Sequence, residues 1–189
     1  DYSPEENQAD ADRLAAMLHT LDNFPVPTVV SVNGATFGGG VGLVASCDIA
    51  LASDRALFSL SEFRLGLIPA TIGPFVVNAI GQRSARRYFL TGERFDATTA
   101  ARIGLIHDVV PHSALAEATN AVVKEILSGG PQSQIAAKAL LSRLRDKNDE
   151  EDPAIWTARL IAEIRTTDEA KSGISAFLKK TSPPWQSKH

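Results

Sequence analysis

The sequence feature best suited to chemistry is a glycine-rich turn that follows a run of β-branched residues. Residues 28–32 read Thr-Val-Val-Ser-Val and predict a buried strand, and Gly38, Gly39 and Gly40 then open a helical pattern. Glycines let a ligand approach the backbone closely, and a helix start adds partial positive charge. Such a turn can act as an oxyanion hole for a carbonyl oxygen that gains negative charge. The same glycines could merely let a helix pack tightly on a strand, and their spacing leaves both readings open.

The second candidate is Glu62, which follows a predicted strand at residues 56–60 and lies between apolar Leu60 and Phe63. A carboxylate beside apolar groups is suited to pass a proton near neutral pH. Glu62 could equally be a solvated surface residue that forms an ion pair with Arg55 or Arg64. The sequence alone therefore makes Glu62 a candidate acid/base residue but does not establish this role.

The elements around these residues alternate between strands and helices. Residues 1–8 predict a frayed start, and the apolar spacing from Ala9 predicts an amphipathic helix that ends near Asn23. Further strands are predicted at residues 48–52, at 56–60, and at the sheet edge over 105–110. Gly81 separates two apolar helical stretches.

The rest of the chain predicts helices alone. Asp96 is an N-cap and Gly104 a C-terminal stop for one short helix, and residues 166–169 have capping-box spacing for the last helix. The later helices are predicted at residues 114–127, 132–145, 153–164 and 169–180. An α/β core followed by a helical C-terminal region results.

Composition excludes several classes of function. A formal net charge of -3 and a pI near 5.8 disfavour nucleic acid or an anionic membrane as partner. No apolar run approaches the roughly 20 residues that span a bilayer, and the first residues lack the pattern of a signal peptide. Cys47 is the single cysteine, which rules out an internal disulfide and suits the cytoplasm. The histidines lack helical metal-site spacing, so we expect no metal, and the glycines fit a dinucleotide fingerprint poorly.

Taken together, a series of sequence blocks resembles the crotonase (enoyl-CoA hydratase/isomerase) superfamily in both order and spacing. The resemblance begins at about Ala9 and covers nearly the whole chain. Its blocks are residues 27–34, Gly38 to Gly40, residues 47–49, Phe58 with Glu62, residues 66–69, residues 100–110 and the final helical stretch 168–178.

The resemblance implies a crotonase-like α/β fold, in which a spiral of ββα units is followed by a helical trimerisation region. Residues 1–112 would form the C-terminal part of the spiral core and residues 113–189 the helical region. The implied substrate is an acyl-CoA of fatty acid metabolism, with no separate cofactor, bound by a homotrimer or hexamer. The first strands of the family domain and one oxyanion amide would lie upstream of Asp1, in a stretch that we expect to exist.

The resemblance also assigns roles to individual residues. It gives the Gly39 N–H to the oxyanion hole and acid/base chemistry to Glu62. It places Lys180 near the coenzyme A phosphates, although a lysine at a helix end is equally explained by the helix dipole. The remaining substrate-binding positions that it implies are Gly38, Gly40, Gly42 and Pro69.

One departure from the family pattern bears on the mechanism. Two-carboxylate hydratases of the family have a glutamate two positions after the glycine triplet, where this chain has Gly42. We therefore expect an enoyl-CoA hydratase with a single acid/base, and the loop at residues 69–74 is similar to a branch that acts on branched or carboxylated substrates such as methylglutaconyl-CoA. The alternatives are a Δ3,Δ2-enoyl-CoA isomerase and a non-catalytic acyl-CoA-binding homologue.

Overall fold

The computed structural model describes residues 2–146 and 149–186. The strands are β1 (Val29–Val32), β2 (Ala35–Phe37), β3 (Ile49–Ser53), β4 (Leu57–Ser59), β5 (Phe95–Asp96) and β6 (Asp108–Val110). The helices are α1 (Pro4–Asp22), α2 (Gly39–Ala45), α3 (Gly73–Thr91), α4 (Ala97–Ile103), α5 (Leu115–Ser128), α6 (Pro131–Arg145), α7 (Pro153–Arg165) and α8 (Asp168–Lys179). Short 3-10 helices lie at Ser61–Leu65 and His112–Ala114.

The strands form two small sheets, and β1 to β4 alternate between them. One sheet has the order β1-β3-β6 with parallel pairs, and the other has the order β2-β4-β5, in which β4 and β5 are antiparallel. Because β2 and β4 are parallel, with Phe37 opposite Ser59, they end at the same edge of their sheet. The turn after β2 therefore lies beside the segment after β4, which carries Glu62.

The first compact unit comprises residues 2–24 and 28–120 and contains both sheets with α1 to α4. Its core is apolar and closely packed: Phe58 and Leu60 are fully buried, and the Phe58 and Phe95 rings stack with centroids 5.6 Å apart. Helix α2 buries Val41 and Val44 in the same core. Burial of these side chains fixes the end of β2 and the start of α2 relative to each other.

The second unit comprises residues 25–27 and the described part of 121–186, and it contains α6, α7 and α8. The capping box predicted at residues 166–169 is wrong by one residue. Thr167 is the N-cap of α8, and its side chain accepts a hydrogen bond from the Ala170 N–H. None of the helices in the described part of the chain is long and apolar enough to cross a bilayer.

One further prediction needs correction, and several are confirmed. Residues 3–8 are not frayed, because Ser3 and Glu6 form a capping box that begins α1 at Pro4. The short strands β2 and β5 were not predicted, because β2 lies among turn residues and β5 has only two residues. The structure confirms four predictions: the helix interruption at Gly81, the N-cap at Asp96, the helix end at Gly104 and the edge position of β6.

The N-cap of α4 gives a test of pH-dependent stability. The Asp96 carboxylate accepts from the Thr99 N–H at 2.8 Å, and this hydrogen bond holds the pKa of Asp96 below its ordinary value. Because the folded pKa is lowered, the stabilisation is complete above the unfolded pKa of about 3.9 and is lost as pH falls through the folded value. We expect Asp96→Ala to lower the free energy of unfolding by about 1 kcal/mol at neutral pH.

Urea unfolding measured from neutral to acidic pH checks this expectation. Asp96→Asn is the matched control, because asparagine caps a helix without a titrating charge. The free energy of unfolding of wild type should approach that of Asp96→Ala as the pH falls. The difference in this free energy between Asp96→Asn and Asp96→Ala should not change with pH. If wild type exceeded Asp96→Ala in free energy of unfolding by the same amount at every pH, the capping role of the charged Asp96 carboxylate would be contradicted.

Candidate active site

The turn between β2 and α2 is made by Gly38 in a conformation that favours glycine. Its φ is 52° and its ψ is -121°, a region in which a Cβ atom is strained. The Gly38 N–H donates to the Ser59 carbonyl at 2.9 Å, and the Gly38 carbonyl accepts from the Val41 N–H at 2.9 Å. The turn is thereby tied to the end of β4 on one side and to the first turn of α2 on the other.

The Glu62 carboxylate lies directly against this turn. A Cβ atom built on Gly38 would be 3.1 Å from Glu62 Oε1 and 3.4 Å from Glu62 Cδ. The structure thus brings together Gly38 and Glu62, the two features that the sequence nominated separately. Any side chain at position 38 would press on the carboxylate.

One oxygen of this carboxylate has no partner among the described residues. Glu62 Oε2 is buried and accepts no hydrogen bond from any residue in the described part of the chain. Buried carboxylate oxygens are normally hydrogen-bonded, because leaving one unpaired is costly. An unpaired oxygen beside a glycine turn is therefore available to a proton or to a polar group of a ligand.

The segment that carries Glu62 is held by Gly92, at the end of α3. The Gly92 carbonyl accepts from Ser59 Oγ at 3.1 Å and from Arg64 Nε at 3.4 Å. Gly92 itself has a φ of 56°, and a Cβ atom there would lie 2.8 Å from the Phe63 ring. These contacts hold the residues on both sides of Glu62 in place. Sequence reasoning missed this role, although a glycine after an apolar run is an ordinary sign of a helix end.

The other two glycines of the triplet begin α2. Gly39 is its first residue, and its N–H has no acceptor among the described residues. A Cβ atom on Gly39 would meet nothing within 4 Å, whereas one on Gly40 would lie 3.3 Å from Thr36 Cγ2. Gly39 therefore combines open space at its α-carbon with an N–H that lies at the positive end of a short helix and has no acceptor among the described residues.

The structure places the remaining predicted site residues in different surroundings. Gly42 is buried in α2 and is covered by Ile72 and Leu18. Pro69 is buried, between the exposed residues Ile68 and Ala70. Lys180 belongs to the second unit, where it caps α8 with a left-handed φ of 54°. Roles in substrate binding for these three residues stay predictions.

Two cavities lie elsewhere and are lined by other residues. One, in the first unit, is bordered by arginines of α3 and α4, and the other lies between α6 and α7 in the second unit. In the latter the Arg143 guanidinium lies 4.1 Å from the centre of the Trp156 ring. The described residues include no group of three or more His, Cys, Asp or Glu side chains that could hold a metal ion.

Comparison with known proteins shows what this chain is similar to. The family model described as "Enoyl-CoA hydratase/isomerase" matches residues 2–188. An enoyl-CoA hydratase from Shewanella pealeana has a crystal structure that superposes with a TM-score of 0.91 at 46% identity, covering 97% of this chain and 69% of that one. This likeness confirms the predicted fold class, a crotonase-like α/β fold.

Curated relatives give the same picture at lower identity. A relative from Thermus thermophilus, whose name also refers to enoyl-CoA hydratase, is 31% identical over 179 residues, which are 95% of this chain. An enoyl-CoA hydratase of Alternaria alternata is 34% identical over 167 residues, which are 87% of this chain. The chain spans 70% of the length of the first relative and 55% of the second.

The contact between Gly38 and Glu62 predicts a difference between Gly34 and Gly38, the two glycines that flank β2. Gly38→Ala should lower the free energy of unfolding by about 1 to 3 kcal/mol, because its positive φ strains a side chain that would also press on Glu62. Gly34→Ala is the control, since Gly34 has no positive φ and a Cβ atom there meets nothing within 4 Å. Urea unfolding of both variants checks this expectation. Equal decreases in the free energy of unfolding would contradict the requirement for glycine at position 38.

Proposed function

The chain belongs to the enoyl-CoA hydratase/isomerase family, and we propose that the full-length protein is an enoyl-CoA hydratase with Glu62 as its single acid/base. The observation that carries the proposal is the Glu62 carboxylate, which lies against the glycine turn with one buried, unpaired oxygen. A carboxylate so placed can exchange a proton with a substrate that reaches the turn.

In the proposed reaction the thioester carbonyl oxygen accepts a hydrogen bond from the Gly39 N–H. The oxygen of water bonds to the β-carbon while its proton passes to Glu62, and the electrons of the double bond move to the carbonyl oxygen to give an enolate. Glu62 then returns the proton to the α-carbon, which completes the hydration. Stabilising the enolate oxygen is the largest expected contribution of the turn to the rate.

The substrate and the assembly are part of the same proposal. We propose a branched or carboxylated α,β-unsaturated acyl-CoA of the methylglutaconyl-CoA kind, with Gly38, Gly40 and Pro69 among the residues that bind it. The resemblance assigns the second oxyanion donor to an upstream stretch and implies a homotrimer or hexamer. Location in the cytoplasm is proposed as well, although some relatives are named as mitochondrial proteins.

A second candidate is a Δ3,Δ2-enoyl-CoA isomerase, and one observation favours it. The position at which two-carboxylate hydratases carry their other glutamate is Gly42, which is buried beneath Ile72 and Leu18. A single carboxylate is sufficient to take a proton from one carbon and return it to another. Deuterium incorporation at C2 or C4 without a hydroxyacyl product would distinguish isomerisation from hydration.

Replacing the carboxylate tests the role of Glu62. Glu62→Gln keeps the size of the side chain but removes its basicity, so we expect kcat for hydration of crotonyl-CoA or methylglutaconyl-CoA to fall by about 100- to 10,000-fold. The rate is measured with the full-length protein, as the decrease in absorbance of the substrate's conjugated double bond. Glu117→Gln, at an exposed position of α5, is the control that should keep wild-type activity.

Unchanged activity in Glu62→Gln would remove this residue from the mechanism. Tight binding of acyl-CoA by wild type without turnover of any thioester in a panel would instead favour the non-catalytic homologue.

Replacing the helix start tests the Gly39 amide. Gly39→Pro removes the N–H at the first helical position, where proline is well tolerated, so the fold should survive. Loss of one oxyanion donor should lower kcat by about 100- to 1,000-fold. Gly39→Ala keeps the N–H and its Cβ has open space, so it should retain most of the activity. Equal rates in the proline and alanine variants would contradict the role of this amide.

A further inference from the structure

Four arginines border one cavity of the first unit, which we call the arginine groove. Arg83, Arg86 and Arg87 belong to α3, and Arg102 belongs to the last turn of α4. The groove has a volume of about 560 Å³, which is within the range of sites that bind small molecules. Four of the chain's 19 basic residues thus lie around a single recess, although the chain as a whole is acidic.

Few acidic groups offset the positive charge of the groove. Neither α3 nor α4 contains an aspartate or a glutamate. Among the described residues, Glu93 is the one carboxylate that forms an ion pair with any of the four arginines, and it binds Arg87. Asp96 attracts Arg102 at longer range, but its carboxylate accepts a hydrogen bond from the Thr99 N–H. Most of the positive charge therefore remains available to a ligand.

The spacing of the arginines on α3 places like charges next to one another. Arg86 follows Arg83 by three residues and Arg87 follows it by four, so the three side chains are neighbours on the helix surface. Like charges at these spacings repel each other and destabilise a helix. A cleft bordered by charges of one sign also concentrates the electric field within it. An anion bound in the groove would remove the repulsion.

Part of the groove is already rigid. Tyr88, which lines it, is 3% exposed, and its ring packs against the Phe95 ring with centroids 4.3 Å apart. The Arg87 guanidinium lies 5.5 Å from the centre of the Tyr88 ring and is held by two hydrogen bonds to Glu93. A side chain that is fixed before binding loses less freedom when a ligand arrives, which favours affinity.

We infer that the arginine groove binds a compact anion with two or more linked phosphate groups. A guanidinium donates two parallel N–H hydrogen bonds to phosphate oxygens. A single carboxylate has too few oxygens to engage several guanidinium groups at once, whereas a diphosphate or triphosphate has enough oxygens and enough charge. The inference concerns a surface away from Glu62, and it does not rest on the proposed hydration.

The lining of the groove favours the phosphates over any group attached to them. Ser84 adds a hydroxyl to the four guanidinium groups, and Tyr88 is the aromatic residue of the lining. Because Tyr88 is buried, its ring offers little open face on which a base could stack. We therefore expect the phosphate chain to provide most of the affinity.

Calorimetric titration of the full-length protein with sodium tripolyphosphate tests the inference. Wild type should show saturable binding that weakens as the salt concentration rises, because salt screens exposed charges. Arg83→Gln and Arg86→Gln should each raise Kd about tenfold or more, since each variant loses a charge-assisted hydrogen bond. Arg165→Gln removes the same charge from an exposed position at the end of α7, so its Kd should equal that of wild type.

Melting temperatures separate binding from folding. Arg83→Gln removes an exposed side chain and a like-charge repulsion, so its melting temperature without ligand should be no lower than that of wild type. Tripolyphosphate should raise the melting temperature of wild type and of Arg165→Gln, and should raise that of Arg83→Gln by less. Equal increases in all three proteins would overturn the assignment of the site to the groove.

Titrations with ATP and with adenosine identify the source of the phosphates. Similar Kd values for ATP and tripolyphosphate, with no binding of adenosine, would support recognition of the phosphate chain alone. A Kd for ATP at least about tenfold lower would support a nucleoside triphosphate as the ligand. Absence of saturable binding of both ATP and tripolyphosphate to wild type, or the same Kd in wild type and Arg83→Gln, would overturn the inference.

Discussion

A carboxylate oxygen of Glu62 lies close to where a side chain on Gly38 would begin, and the rest of the site depends on that approach. It requires a residue without a side chain, in a backbone conformation that other residues adopt only with strain. The Gly38 N–H is simultaneously held by the Ser59 carbonyl, three residues before Glu62. The turn and the carboxylate are therefore positioned by the same short stretch of chain, and a shift in either one would separate them.

The alternation of the chain between two sheets explains how this contact arises. Strands β2 and β4 are neighbours in one sheet although β3 of the other sheet lies between them in sequence. Their parallel pairing delivers the glycine turn and the Glu62 segment to the same sheet edge. Gly92, at the far end of α3, then fixes that segment through Ser59 and Arg64. A local glycine motif becomes a site only because distant segments converge on it.

The interior next to the site is apolar and closely packed. Where the two-carboxylate pattern would place a second acid, Gly42 is packed against Ile72 and Leu18. The consequence is a sharp boundary, with a polar turn and a carboxylate on one side and hydrocarbon on the other. Close packing, rather than charge, thus keeps polar groups out of the space beside Gly42.

The sequence by itself determined several helix ends, the strands β1, β3, β4 and β6 and the glycine turn, because capping residues, β-branched runs and glycines act over a few neighbouring positions. Asp96, Gly104 and Gly81 could be read in this way, and the family resemblance supplied the fold. What only the tertiary structure decided was contact between residues far apart in the chain: Glu62 against Gly38, the Gly92 carbonyl on Ser59 and Arg64, and Ile72 over Gly42. These contacts depend on which strands pair and which helices pack, and no local pattern in the sequence records that choice.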